Sequence, residues 1–331
     1  MSTRTCCHPQ PPTRARFLRI WPHMSNTLDT TLVMLGLSGS GKTNFLVALD
    51  VVLDHQTDPD GLVHSDLAAD RTYLQPLKEQ WLRGEELLHT SRLQSPPPHH
   101  LLVRHPKSGA SAGLYLPDLA GETFNAQFLT RTYPPDFRDR LKQAGGLLLF
   151  LHCDQNADHT ILQDPVFIDP QPATAAPSAT TEPANEWQLD NTSRQSKLVD
   201  LLQFIGEIRP QERPLPVAVT ISAWDLVENV GKLGPRMNAD IPRDPADFLA
   251  IHWPLLNQFL LSHARAFPLR VFGVSARGGG TTPEDIVRLT TFDRPSERIL
   301  VVDSNHRSND LTRPIRWLLG LRLDSATPPN A

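Results

Sequence analysis

The residues Gly36-Leu37-Ser38-Gly39-Ser40-Gly41-Lys42-Thr43 follow the pattern G-x-x-x-x-G-K-[ST] without departure. Gly39 and Gly41 free the backbone to turn its N–H groups inward, which is the chemistry of a loop that cradles a phosphate chain. Lys42 is placed to reach the β- and γ-phosphates of a nucleotide, and the Thr43 hydroxyl to ligate Mg²⁺. Gly36, Ser38, Ser40 and Asn44 complete the expected nucleotide-binding set. The alternative is a merely flexible glycine loop before a helix, and the flanking residues argue against it.

A Mg²⁺–nucleotide site also needs a carboxylate at the end of a neighbouring strand. Asp118, in "LYLPDLAGE", supplies one. Asp118-Leu119-Ala120-Gly121 is in addition a D-x-x-G sequence, in which the Gly121 amide can meet a γ-phosphate and couple a moving loop to it. An Asp in this place can instead cap the helix that follows.

The elements that must hold these groups can be read from hydrophobic periodicity. Residues 30–37 are apolar and β-prone, and "KTNFLVALDVVLDH" repeats its apolar positions at helical spacing, so the loop lies between a strand and a helix. "HQTDPDGLVHSD" reads as a polar turn. A helical stretch follows from about Leu67 to Leu88, with interruptions expected at Pro76 and Gly84. "LLVRHPKSGASAGLYLPD" reads as an antiparallel pair of strands around a Gly/Ser turn. Phe124 to Gln143 reads as an amphipathic helix, and "GGLLLFLH" as a strand buried on both faces. Beyond it come the helix "SKLVDLLQFIGEIR", the strand "LPVAVTISAW", a helix broken at Pro254, the strands "PLRVFGVSA" and "RILVVD", and a closing helix in "LTRPIRWLLGLRL". Strands alternating with helices predict an α/β fold with a mostly parallel sheet flanked by helices and one antiparallel hairpin strand.

With these motifs in place, the chain resembles P-loop GTPases of the Ras-like, translation-factor-related class. "DLAGE" is similar to that family's switch II, where the residue after D-x-x-G is usually a glutamine that orients the attacking water; here it is Glu122. The resemblance assigns catalysis to Lys42, Gly121 and Glu122. The family reads guanine through an [NT]-K-x-D box, and Ser222-Ala223-Trp224-Asp225 stands at the corresponding place. Asp225 would then accept from guanine N1 and N2. Ala223 replaces the lysine that packs over the base, and Trp224 offers apolar surface nearby. Asp225 as a cap of the next helix is the competing reading. Ser275-Ala276-Arg277 resembles the loop whose backbone amide meets guanine O6. The switch I threonine that would join Thr43 and Asp118 around Mg²⁺ is assigned to Thr90. The long interval between Gly36 and Asp118 and the terminal "TRPIRWLLG" are similar to the double-GTPase group of bacterial conflict systems.

The 331 residues include 31 prolines and carry a net charge of −4, which gives no global electrostatic reason to expect nucleic acid as a partner. Three cysteines, Cys6, Cys7 and Cys153, build neither a disulfide framework nor a zinc site. No apolar run approaches the roughly 20 residues of a membrane span. The expected organisation is a disordered tail at 1–28, one GTPase-like domain at 29–323 with a Pro/Ala/Thr-rich insertion at about 163–193, and a second tail at 324–331. A cytoplasmic location fits the cysteine usage. The function so implied is Mg²⁺-dependent hydrolysis of GTP to GDP by a molecular switch whose effector or activating protein is unspecified. The alternatives are a nucleotide-binding regulatory module with little hydrolysis, or a P-loop ATPase.

Overall fold

A computed structural model describes residues 30–55, 61–65, 72–87, 101–117, 127–154, 192–210, 212–229, 242–304 and 306–323. Thr90, Asp118, Gly121, Glu122, both tails and nearly all of the expected insertion lie outside these residues.

The described strands are β1 (Thr30–Leu35), β2 (Val63–His64), β3 (Leu101–Arg104), β4 (Ser111–Tyr115), β5 (Gly146–His152), β6 (Val217–Ser222), β7 (Leu269–Ser275), β8 (Leu300–Asp303) and β9 (His306–Ser308). They form a single sheet in the order β2-β3-β4-β1-β5-β6-β7-β8-β9. The centre, β4 through β7, is parallel. Each edge is antiparallel, through β2 and β3 on one side and the β8–β9 hairpin on the other.

Central strands covered on both faces must be apolar at every position. In β5, Leu148 and Phe150 enter one core and Leu147, Leu149 and Leu151 the other, and β1 divides Leu32 and Met34 from Val33 and Leu35 in the same way. The first core is roofed by helices α1 (Lys42–Asp54), α2 (Gln75–Leu82) and α9 (Arg313–Leu318). The second is roofed by α3 (Pro135–Gln143), α4 (Arg194–Ile208), α6 (Pro245–His252) and α7 (Pro254–Ser262), with the short α5 (Trp224–Glu228) beside them. Helix α8 (Pro283–Thr290) follows β7.

Several local expectations need correction. The stretch read as a polar turn contains β2, which pairs with β3. Pro76 does not interrupt a helix; it lies in the first turn of α2, where its missing N–H has no helical partner to lose. Gly84 does end that helix, in a left-handed conformation with φ of 70°. The helix expected from Phe124 to Gln143 is broken within its described part. Residues 127–130 are helical, Arg131 turns left-handed at φ 54°, and Pro134 takes the extended backbone that a following proline imposes before α3 begins. The helix break at Pro254 is as expected.

β1, β5, β6 and β7 all end at the same edge of the sheet. In open α/β sheets this carboxyl edge is where ligands bind.

Candidate nucleotide site

The loop from Gly36 to Gly41 leaves the end of β1 and enters α1 directly. Gly36, Gly39 and Gly41 all have positive φ, at 148°, 72° and 89°. At two of them the need for glycine is also spatial. A Cβ on Gly36 would lie 2.5 Å from the Phe150 carbonyl oxygen, and one on Gly41 would lie 2.8 Å from the Ser222 side chain. The loop is thus pressed onto the ends of β5 and β6, and its backbone is left as the lining of the cradle.

Helix α1 starts with Gly41 as its N-cap, with no side chain capping it and no acidic residue in its first turn. The N–H groups of that turn and the positive end of the helix dipole therefore face the loop without a protein anion. The Lys42 ammonium donates to the carbonyls of Gly36 (2.7 Å) and Leu37 (2.8 Å) and to Ser40 Oγ (3.2 Å). Burial lowers its pKa from 10.5 to about 8. A desolvated cation resting on carbonyls gains more from a phosphate oxygen than an exposed one would, because the anion compensates a charge already removed from water. The cradle, the uncapped helix end and Lys42 fit a nucleotide's phosphate chain. Thr43 lies in the same first turn.

The second half of the site forms at the ends of β6 and β7. Ala223 adopts a left-handed conformation with φ of 55° and is the N-cap of α5. Asp225 consequently lies inside the helix and does not cap it. Its carboxylate accepts a 2.5 Å hydrogen bond from the Ser275 hydroxyl, which in turn accepts from the Gly278 N–H at 3.1 Å. The structure thereby brings together two motifs fifty residues apart in the chain.

Trp224 does not offer surface to a ligand, as the sequence had suggested. It is fully buried and its ring packs onto the bare backbone of Gly273, where a Cβ would come within 2.3 Å. The tryptophan anchors α5 from below and so sets the height of Asp225. Ser222, whose position in the motif invited no separate assignment, is nine-tenths buried with its hydroxyl unpaired, against Gly41. It joins the two halves of the site. Beside Asp225 and Ser275 lies a cavity of about 470 Å³ that reaches Phe292, Arg298 and Asn309.

His152 ends β5 in the same region and Cys153 follows it. Burial pulls the His152 pKa down despite the opposing field of Asp154 and Asp225, and burial pushes the Cys153 thiol up. The Cys153 thiol donates to the Ala223 carbonyl at 3.2 Å, which supports the left-handed turn before Asp225.

Of the expected site residues, the phosphate loop, Asp225, Ser275 and Ala276 all lie at the carboxyl edge. Another group of chemical interest lies elsewhere. His64, Asp50 and Asp54 converge beside α1, where the Lys78 ammonium sits 2.9 Å from the fully buried Asp50. The Lys78 ammonium takes the Oδ2 atoms of Asp50 and Asp54 and His64 Nε2 faces their Oδ1 atoms, so the group ties α2 and β2 to α1.

A family model described as Double-GTPase 1 matches residues 33–318 of the chain. No curated protein matches it. Among solved structures, one to which it is similar is the signal recognition particle receptor SRb-GTP/SRX complex from Chaetomium thermophilum, at 13% sequence identity and a TM-score of 0.32, over 78% of this chain and 94% of that one.

Proposed function

Because the chain belongs to the Double-GTPase 1 family, and is thus a P-loop GTPase that binds guanine nucleotide, we propose that it hydrolyses GTP to GDP as a Mg²⁺-dependent switch. The observation that supports this reading most is the Ser275–Asp225 hydrogen bond, formed at the same sheet edge as the Lys42 cradle. It presents a carboxylate to the N1–H and N2–H₂ donors of guanine, an edge adenine lacks. The Ala276 backbone completes the base contacts at O6.

Lys42 and the first-turn N–H groups of α1 would stabilise charge on the phosphate chain while the bond to the β–γ bridging oxygen breaks and water bonds to the γ-phosphorus. Thr43 and Asp118, with Thr90 as the switch I ligand, would hold Mg²⁺, which supplies further charge neutralisation at the β- and γ-oxygens. Glu122 would orient the attacking water by accepting its hydrogen bond, and the Gly121 amide would sense the γ-phosphate. Loss of that phosphate releases the loops around Thr90 and Gly121, and the output is altered binding of a partner protein. In a bacterial conflict system, such a switch would gate the response.

A second reading is a nucleotide-binding regulatory module with little hydrolysis. It is motivated by Glu122, whose charge would lie close to the γ-phosphate, and by Ala223 at the lysine position. Phosphate release under single-turnover conditions with GTP and Mg²⁺ separates the two. Turnover lost in Lys42→Ala supports the switch, whereas stoichiometric GTP binding with no phosphate release supports the module.

A further inference from the structure

The cavity that Asp225 and Ser275 share is larger than one base. Its volume of about 470 Å³ lies in the roughly 300–1,000 Å³ range that encloses whole drug-sized ligands, and a single purine fills only part of it. Residues 36–43 are not among its lining, so a nucleotide whose phosphates rest at Lys42 enters it base first. Asp225 stands in the wall, so the N1–N2 edge that it would accept from lies inside. The remaining space continues past that edge, on the side of the base opposite the ribose.

The charge of the wall is unbalanced. Three carboxylates, Asp225, Glu228 and Glu297, line it against two guanidiniums, Arg298 and Arg307. The Arg307 guanidinium is taken by Glu228, with Nη1 at 2.9 and 2.8 Å from its two carboxylate oxygens. Arg298 directs its donors to the carbonyls of Leu289 and Trp81, neither of which lines the cavity. Guanine is neutral, so it would leave the excess negative charge in place. The Glu297 carboxylate has no hydrogen bond or ion pair among the described residues. Ser308 Oγ is buried without a hydrogen-bond partner in the same lining, to which Phe292 and Leu300 add apolar surface. An occupant with an apolar stem and a cationic tip matches such a wall, since the stem covers the apolar part and the tip meets the acceptors.

We propose that the cavity is a subsite beyond the guanine edge, and that it takes guanine nucleotides substituted on N2 with an alkyl chain ending in an amine. A single substituent leaves N2 one N–H, which together with N1–H still pairs with the Asp225 carboxylate. The chain runs along Phe292 and Leu300, and its ammonium donates to Glu297 and the Ser308 hydroxyl. The proposal rests on the reading of Asp225 as the guanine carboxylate.

The test is calorimetric titration of the full chain with GDP, with N2-aminobutyl-GDP, with N2-pentyl-GDP as its uncharged isostere, and with tripolyphosphate, which only the phosphate cradle should hold. The aminobutyl nucleotide is expected to bind at least as tightly as GDP and roughly two- to fivefold more tightly than the pentyl one, the scale of an exposed ion pair. Glu297→Gln should erase that difference and leave GDP and tripolyphosphate unchanged. Weaker binding of the aminobutyl nucleotide than of GDP would overturn the proposal, because the space beyond Asp225 would then be closed to it. So would a preference for the amine that survives in Glu297→Gln. Titration with ADP tests the underlying reading separately. GDP preferred over ADP while the aminobutyl nucleotide is rejected removes the subsite alone, whereas equal affinity for GDP and ADP removes the reading of Asp225 and the subsite with it.

Discussion

The Ser275 hydroxyl donates to the Asp225 carboxylate at 2.5 Å while accepting from the Gly278 amide, so the loop after β7 fixes the carboxylate that follows β6. A hydrogen bond to a charged group contributes about 1.5–3 kcal/mol. Ser275→Ala should therefore lower GDP affinity by about tenfold or more, because the freed carboxylate must be ordered by the base itself. Tripolyphosphate binding should be unchanged. Unaltered GDP affinity would mean that the carboxylate needs no such support.

Lys42 supplies a pH signature. Its pKa in the free protein is lowered to about 8, below the unfolded value near 10.5, so its desolvation cost is present below about pH 8 and is relieved as pH rises toward the unfolded value. A bound phosphate favours the charged form and raises this pKa. Nucleotide affinity should accordingly be flat below pH 8 and fall above it, by up to about tenfold per pH unit, with a proton taken up on binding. Lys42→Arg does not titrate in this range and should remove the inflection even if binding is weaker. An inflection that survives in Lys42→Arg would assign it to another group.

Gly273 and Trp224 are matched. An alanine at 273 would place its Cβ 2.3 Å from the indole, and both residues lie in a filled core. Overpacking of this kind costs about 1–3 kcal/mol. Gly273→Ala should lower the unfolding midpoint in urea and, by displacing α5, weaken GDP more than tripolyphosphate. A variant as stable as the parent would show that Trp224 has room to move.

The Lys78 ammonium lies between Asp50, which is fully buried, and Asp54. Removing one partner of a buried pair leaves an uncompensated charge and costs about 3–5 kcal/mol. Lys78→Met should be destabilised on that scale in a urea melt at neutral pH. The loss should shrink sharply when Asp50→Asn is added, since the orphaned charge then disappears. Additive losses would contradict the assigned pairing.

Much of the site was legible because its signals are local. A glycine-rich loop between an apolar run and a helical repeat declares itself, and so does β5, whose continuous apolar run reflects helices on both faces. The order of Lys42, Asp225 and Ser275 along the chain placed each at a strand end, where the structure has them. What escaped notice depends on contacts distant in sequence. β2 has two residues and exists through its pairing with β3, and β9 is polar because it is an exposed edge. Trp224 is an isolated aromatic without periodicity, so its burial under α5 had no local signal. Arg277 stands third in a common tripeptide, and its tether to the Gly84 carbonyl, far away in the chain, had no local signal. The bare backbone of Gly273 inside β7 was the one available hint that a large side chain lay across that strand.

The central claim is that one site joins the Lys42 cradle to a guanine-reading carboxylate at Asp225. The most direct test is competition of unlabelled GTP, GDP, ATP and ADP against a fluorescent GDP on the full chain with Mg²⁺ present. Displacement by the guanine nucleotides at concentrations at least a hundredfold below those needed for the adenine ones, as expected when a base edge leaves a partly buried carboxylate unpaired, is the predicted result. Equal displacement by ATP and GTP would contradict the account and leave only a phosphate-binding loop.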